Sequence, residues 1–350
     1  MNPAGSGSSL AALAPSGAAT DDASVEVTGA SPVALLAALV SAALARLCGG
    51  RGLGYRVGMI ANSNRADELR SRLQGGAPLV MPGVFDALSA RVAARAGFEV
   101  LFVSGYSVSA TYLGEPDFGV LTQTDIVEAA RRICRGVACP VIVDVDTGYG
   151  NALNVMRTVE EVVHAGAAGV FLEDQVWPKR CGHMRGKRVI PVEEQVQKIR
   201  AAVRARADAD CFIVARTDAR QAIGLEEAIA RARAYREAGA DALFVEAPQS
   251  LEELREIGRQ LPGPLVANMV EQGVTPQLPV AELAALGFQL IVYPVSALFA
   301  ATRAMEEVYG ALRRDGSTKA VRDRMLGFDE FNRLIGVEEK YALDAALSGD

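Results

Sequence analysis

From Leu79 onward the chain alternates short apolar runs with longer amphipathic stretches. The runs are Leu79 to Met81, Val100 to Ser104, Val141 to Asp144, Val170 to Glu173, Phe212 to Arg216, Leu243 to Glu246, Leu265 to Asn268 and Leu290 to Tyr293. Each is rich in Val, Ile, Leu or Phe, and they recur at roughly 25- to 35-residue spacing, the period of a βα unit. Helical spacing fills Asp86 to Ala96, Val155 to Ala165 and Leu225 to Ala238, and each stretch meets a glycine (Gly97, Gly166, Gly239) suited to a left-handed cap. Runs that are apolar throughout are buried on both faces. Eight of them with helices between predict an α/β fold closed as a (β/α)8 TIM barrel, in preference to an open doubly wound sheet.

The polar residues that end these runs sharpen the picture. Ser104, Asp144, Asp146, Glu173, Arg216, Glu246 and Asn268 fall at or just past the C-terminal ends of the predicted strands, the rim on which barrel enzymes carry their chemistry.

Length and composition set the boundaries. With 350 residues, half of them apolar, the chain can bury one barrel with additions. We expect the barrel over residues 59–314 and a helical segment over 315–350, the latter with two amphipathic stretches between Ser317 and Leu347. Arg65 to Leu73 already has helical spacing at Leu69 and Leu73. Residues 1–58 differ from the rest, being rich in Ala, Gly and Ser with no Lys or Arg before Arg46. They are expected to be disordered, and an upstream translation start, with Met59 as the initiator, is the simplest account. The apolar run Val33 to Ala45 is shorter than the about 20 residues a bilayer span needs. A basic start is absent, and Asp21, Asp22 and Glu26 are foreign to a transit peptide.

A net charge of -6 without a Lys/Arg cluster excludes a nucleic-acid binder, and no membrane partner is expected. The five cysteines form no CxxC pair, which predicts reduced thiols in a cytoplasmic compartment. Glycines 52, 54 and 58 lack the spacing of a dinucleotide fingerprint and follow no strand.

Asp144-Val-Asp146 places two carboxylates two residues apart on one side of a strand end, an arrangement for a hard divalent ion, Mg²⁺ with Mn²⁺ as its substitute. Glu173, Asp174 and Asp117, the last in the Pro116-Asp117-Phe118-Gly119 loop, could add oxygen ligands directly or through water. The segment Lys179-Arg180-Cys181-Gly182-His183-Met184-Arg185-Gly186-Lys187 gathers four cations, a thiol and one of two histidines. Two glycines predict a mobile loop whose cations and His183 lower the Cys181 pKa, for use as a general acid or a nucleophile. Ser104-Gly105-Tyr106-Ser107 offers backbone N–H groups and hydroxyls to a carboxylate. Arg216 can grip a carboxylate through two parallel hydrogen bonds, and Glu246 and Asn268 can orient hydroxyl or carbonyl groups. His164 reads as a surface or packing residue, and the other four cysteines as packing residues.

These words together (VSGYSVSA, PDFG, DVDTGYGN, EDQVWPKRCGHMRGK, ARTDAR, VEAP, NMVEQGVTP, FNRLI) resemble the isocitrate lyase and phosphoenolpyruvate mutase superfamily from about Met81 to Leu334. The WPKRCGHMRGK and NMVE wording is most similar to its petal death protein branch, which cleaves 2-alkylmalates and oxaloacetate; methylisocitrate lyases and carboxyphosphonoenolpyruvate mutases are similar in the same stretches. The resemblance implies that Asp144 and Asp146 hold Mg²⁺, with Glu173 and Asp117 around its waters. It implies that Ser104, Gly105 and Tyr106 seat one carboxylate, and that Arg216, Glu246 and Asn268 hold the substrate. Cys181 is then the acid of a gating loop, and Lys179, His183 and Glu173 complete the catalytic set. Where the family's alkylmalate stretch reads EGGKTP, this chain has Glu271-Gln272-Gly273-Val274-Thr275-Pro276; that loop, with Thr275, faces the variable end of the substrate. The implied chemistry is cleavage of a small 2-hydroxy or 2-oxo dicarboxylate by a homotetramer, a dimer of dimers whose C-terminal helices exchange between subunits. A phosphonate-forming mutase and a non-catalytic barrel are the alternatives.

Overall fold

The computed structural model describes residues 65–206 and 210–349; expectations for residues 1–58 lie outside them. Eight strands form, β1 Leu79–Val84, β2 Leu101–Val103, β3 Val141–Asp144, β4 Gly169–Glu173, β5 Phe212–Thr217, β6 Ala242–Val245, β7 Val266–Asn268 and β8 Leu290–Tyr293. All neighbours pair in parallel in the order β6-β5-β4-β3-β2-β1-β8-β7. A parallel bridge between Leu243 and Leu265 then joins the two ends, with Leu243 N donating to Pro264 O at 3.0 Å. The eight apolar runs are thus the eight staves of a nearly closed barrel. β1 runs past the predicted Met81 to Val84, because Gly83 lets the chain pass against β8: a Cβ there would stand 2.1 Å from Pro294 O.

Side chains alternate in and out along each strand. Phe102, Ile142, Phe171, Phe212, Val214, Ala242, Phe244, Val266, Leu290 and Val292 pack together inside the barrel. Their neighbours Leu101, Val103, Val141, Val143, Val170, Leu172, Ile213, Leu243, Val245 and Ile291 pack outward against helices such as Gln123–Gly136, Ala152–His164, Val192–Ala205 and Leu225–Glu237. This two-sided burial is why the runs carry no polar positions until they end. The helix Arg65–Gln74 places Ala66 and Leu69 in the inner cluster beside Leu79, Phe212 and Leu290, so it packs over the N-terminal end of the staves.

The helix Ser296–Asp315 completes the eight βα units, and Phe328–Ile335 and Val337–Ser348 follow. Neither of these last two buries a residue. Phe328–Ile335 has the expected apolar face, whereas apolar side chains surround Val337–Ser348, so only one of the two predicted stretches is amphipathic. Among the described residues no helix is long and apolar enough to cross a membrane.

Candidate active site

The two-residue period that sets the inner core also sets the site. Continuing it outward takes Phe102 to Ser104, Ile142 to Asp144 and Asp146, Phe171 to Glu173, Val214 to Arg216, Phe244 to Glu246 and Val266 to Asn268. Three phenyl rings floor the rim: Phe102 and Phe171 lie 4.8 Å apart and Phe171 and Phe244 5.7 Å apart between centroids, and the Arg216 guanidinium stands 5.4 Å above Phe244. Above them opens a cavity of about 270 Å³ walled by Ser104, Tyr106, Asp117, Asp144, Lys179, Cys181, His183, Arg216, Asn268 and the Val270–Val274 loop. Gly105, Asp146, Glu173, Glu246 and Thr275 do not line it; they are buried behind this wall.

Lys179 is the hub of the carboxylate cluster. Its Nζ lies 2.7 Å from Asp117 Oδ1 and 2.6 Å from Asp146 Oδ1, while Asp144 Oδ1 accepts from Asp146 N at 3.2 Å. Gly105 packs closely here, since a Cβ would stand 3.0 Å from Asp144 Oδ2 and press on that carboxylate. Burial outweighs the attraction of Lys179 and raises the Asp146 carboxyl to about 7, with Asp144 and Asp117 adding repulsion. Burial likewise raises Asp144 and, further, Glu173. Glu173 Oε1 makes no hydrogen bond, and Asp146 Oδ1 has only the ionic contact with Lys179. Underpartnered buried carboxyls that resist ionisation are short of positive charge, which fits a divalent cation. No three His, Cys, Asp or Glu side chains among the described residues converge as a closed cage, and Mg²⁺ needs only one or two carboxylates with water and substrate. Both Asp117 oxygens contact the Lys179 ammonium, so Asp117 anchors the loop as well as standing beside the Asp144 and Asp146 carboxylates.

Arg216 is held more tightly than its predicted role requires. Its Nε donates to Asp218 Oδ2 at 2.9 Å and its Nη2 to Asp218 Oδ1 at 3.0 Å, with Glu173 at 3.3 Å and Glu246 at 3.6 Å. The bidentate fork is spent on Asp218, which also accepts from Lys187 Nζ at 2.6 Å. Burial alone would raise Asp218, but Arg216 and Lys187 pull it well below the carboxylate range. Glu246, despite burial, is held down to about 2 by Arg216 and His183. Sequence reasoning missed Asp218, although it stands two residues past Arg216 in ARTDAR and so shares its face of the strand. It also gave Asp174 no role beyond that of a possible metal ligand. Asp174 instead accepts from Thr217 Oγ1 and Tyr235 OH at 2.7 Å, Asp218 N at 2.9 Å and Arg231 Nη1 at 3.3 Å, a buried strut under the site.

The Lys179–Lys187 loop is closed over the cavity, and its charges are placed differently from expectation. It is tied down at Lys179, at Lys187 and at Gln175, whose side chain pairs with the Arg180 backbone at 2.8 and 3.0 Å. Its cations do not win at the thiol: Lys179 and Lys187 are paired with Asp117, Asp146 and Asp218, and the lowering effect of Lys179 on Cys181 is outweighed. Burial therefore dominates and pushes Cys181 up to about 11, with Asp117 adding to it. A thiol that keeps its proton is a general acid and a poor nucleophile. His183 lies at the far wall, with Nε2 3.2 Å from Glu246 Oε1 and Nδ1 accepting from Val274 N at 3.1 Å.

Ser104 caps the short helix Gly105–Val108, accepting from Ser107 N at 3.3 Å, so a ligand must share its hydroxyl with that cap. Burial raises the Tyr106 phenol, helped by nearby Cys181 and Asp117. Gln272 sits at φ 57, a left-handed position that glycine takes more readily, in keeping with the family's EGG wording there. His164 is exposed and Cys134 and Cys211 are buried, as their packing or surface roles require.

This geometry has relatives. Residues 69–313 match the family model for phosphoenolpyruvate phosphomutase. The chain is 51% identical to a chloroplastic carboxyvinyl-carboxyphosphonate phosphorylmutase of Arabidopsis thaliana (77% of this chain, 81% of that protein). It is 48% identical to 2,3-dimethylmalate lyase of Eubacterium barkeri (79% and 96%) and 50% to petal death protein of Dianthus caryophyllus (81% and 90%). A crystal structure of 2,3-dimethylmalate lyase superposes with a TM-score of 0.77 at 40% identity over 83% of this chain and 96% of that one. Phosphonopyruvate hydrolase, solved with oxalate and Mg²⁺, does so with 0.73 at 35% over 80% and 98%. The chain belongs to the PEP mutase/isocitrate lyase superfamily. Within it, the chain is an enzyme of the lyase type.

Proposed function

We propose that the protein is a Mg²⁺-dependent carbon–carbon lyase that cleaves a small 2-hydroxy or 2-oxo dicarboxylate of the 2-alkylmalate, methylisocitrate or oxaloacetate kind. The observation that carries this reading is that Cys181, within the tethered loop, and the Asp144 carboxylate line the same cavity. A thiol held protonated there is placed to give its proton to a carbanion-like carbon.

Asp144 and Asp146, with Glu173 behind them, are the residues that would hold Mg²⁺, which when bound supplies Lewis acidity to the substrate's carboxylate and neighbouring 2-oxygen. The protein's own groups do the rest. Ser104, Tyr106 and Asn268 orient the substrate's oxygens, and Arg216, fixed by Asp218, presents a positive field to its second carboxylate. The phenyl floor and the loop exclude water. Loss to a base of the proton of the 2-hydroxyl, or of one hydroxyl of the hydrate when the substrate is oxaloacetate, lets the C2–C3 bond break to a 2-oxo acid (oxalate from the hydrate) and a carboxylate enolate, and Cys181 protonates the enolate carbon. The four described cysteines are unpaired, which suits a reducing, cytoplasmic setting. The exposed Phe328, Tyr341 and Leu347 of the C-terminal helices suit burial in a helix-exchanged homotetramer.

The test is turnover of purified protein with Mg²⁺ on methylisocitrate, 2-alkylmalates, oxaloacetate and phosphoenolpyruvate, following 2-oxo acid, oxalate and phosphonate. Release of a 2-oxo acid or oxalate is expected. Phosphonate as the sole product would overturn the lyase reading in favour of a mutase, the activity named for the 51% identical relative.

A further inference from the structure

Two loops wall the cavity from opposite sides, and one side chain joins them. His183 Nδ1 accepts from Val274 N at 3.1 Å, so that nitrogen carries no proton and the ring hydrogen sits on Nε2, which faces Glu246 Oε1 at 3.2 Å and Asn268 Nδ2 at 3.5 Å. The ring lies in the space left by a missing side chain. A Cβ on Gly273 would stand 2.5 Å from His183 Nδ1, 2.8 Å from its Cε1 and 3.1 Å from Val270 Cβ. Gly273 is not in the left-handed region, so its backbone would accept alanine; what it supplies is room. Gly182, on the Cys181 side, is a second such place: a Cβ there would meet Glu246 Cδ at 2.5 Å and Arg216 Nη2 at 2.6 Å. The loop therefore meets the barrel through two contacts that only glycine permits.

We propose that His183 is a positioning residue, the latch that holds the Cys181 loop shut against the Val270–Val274 loop, with Gly273 as its socket. The sequence had suggested acid–base support of the thiol, but the ring is engaged with Glu246 and Val274 on the opposite wall. Because Val270–Val274 lines the cavity, a ligand that displaces this wall displaces the socket as well. Closure over Cys181 is thereby coupled to the fit of the substrate's variable end. The inference deepens the proposed function, and rests on it for which end of the substrate meets this wall.

The latch can be tested without substrate. Trypsin cuts within the loop at Arg180, Arg185 or Lys187 only when the loop opens, and mass spectrometry of the full chain follows those peptides against cuts elsewhere. Loss of a hydrogen-bonded latch raises the open population by up to about tenfold. Gly273→Ala and His183→Ala are each expected to speed loop cleavage by a similar factor. The double variant should be cut no faster than His183→Ala, since the added methyl then has nothing to strike. His183→Gln, which can still accept from Val274 and donate to Glu246, should restore most of the protection and so tests the latch even if Gly273→Ala misfolds. Unchanged cleavage in His183→Ala, or fully additive effects in the double variant, would overturn the latch. Failure of every dicarboxylate to turn over would overturn the proposed function and leave the protection pattern standing. With a turned-over substrate, both single variants should lose kcat, and Gly273→Ala should recover none of it in the His183→Ala background.

Discussion

Lys179, a loop residue, places its ammonium 2.6 Å from Asp146, which follows β3, so the loop that covers the cavity also supplies the cluster's own cation. Asp117, Asp144, Asp146 and Glu173 share this ammonium, while Arg216, hydrogen-bonded to Asp218, also stands 3.3 Å from Glu173.

Removing that ammonium should therefore tighten a bound dication. Lys179→Met is expected to bind Mg²⁺ about tenfold or more tightly by titration calorimetry, because a like charge leaves the site, while turnover falls as the loop loses its anchor. Weaker Mg²⁺ binding in this variant would place the ion elsewhere.

The pH dependence of stability follows from the same cluster. Asp146 is raised to about 7, and Asp144 and Glu173 are also raised, so the folded state binds more protons than the unfolded chain between about pH 4 and 7. Stability must then fall as pH rises through that window, by of order one to a few kcal/mol. Thermal unfolding of metal-free protein should show a higher Tm at pH 5 than at pH 8. Adding Mg²⁺ at pH 8 should recover the difference, and Asp144→Asn with Asp146→Asn should flatten the profile and abolish turnover. A Tm that rises toward pH 8 without metal would contradict the carboxyl assignments.

Cys181 should behave as a protected acid. With its pKa near 11, its alkylation by iodoacetamide at pH 8 should run about two orders of magnitude below that of a free cysteine with pKa about 8.5. Cys181→Ser should cut carbon–carbon cleavage by roughly 10² to 10⁴, with KM affected far less. No covalent adduct should accumulate during turnover. Rapid alkylation at neutral pH, or an adduct detected by mass spectrometry, would restore the nucleophile reading.

Asp174 should matter to the fold before it matters to chemistry. It is buried and joins Thr217, Tyr235, Arg231 and the Asp218 backbone. Asp174→Ala leaves Arg231 short of its buried partner and should cost about 3–5 kcal/mol in denaturant unfolding. A loss below about 1 kcal/mol, the worth of an ordinary hydrogen bond, would remove it as a strut.

The staves, their closure into a barrel and the rim residues were legible because they depend on local period alone. A run buried on both faces must be apolar throughout, and its first inward polar position is where the barrel interior ends, which picks out Asp144, Glu173, Arg216, Glu246 and Asn268. Pairings across long stretches of chain were settled only by the tertiary structure. Lys179 meets Asp117 across 62 positions, His183 meets Val274 across 91 and Lys187 meets Asp218 across 31. The sequence put four cations beside Cys181 and implied a lowered pKa; folding sent Lys179 and Lys187 to carboxylates and left the thiol half-buried in the cavity wall, and desolvation reversed the sign. Charge along the chain determined which groups were available, and the folded chain decided which of them meet, because Coulomb interactions and burial depend on distance in space.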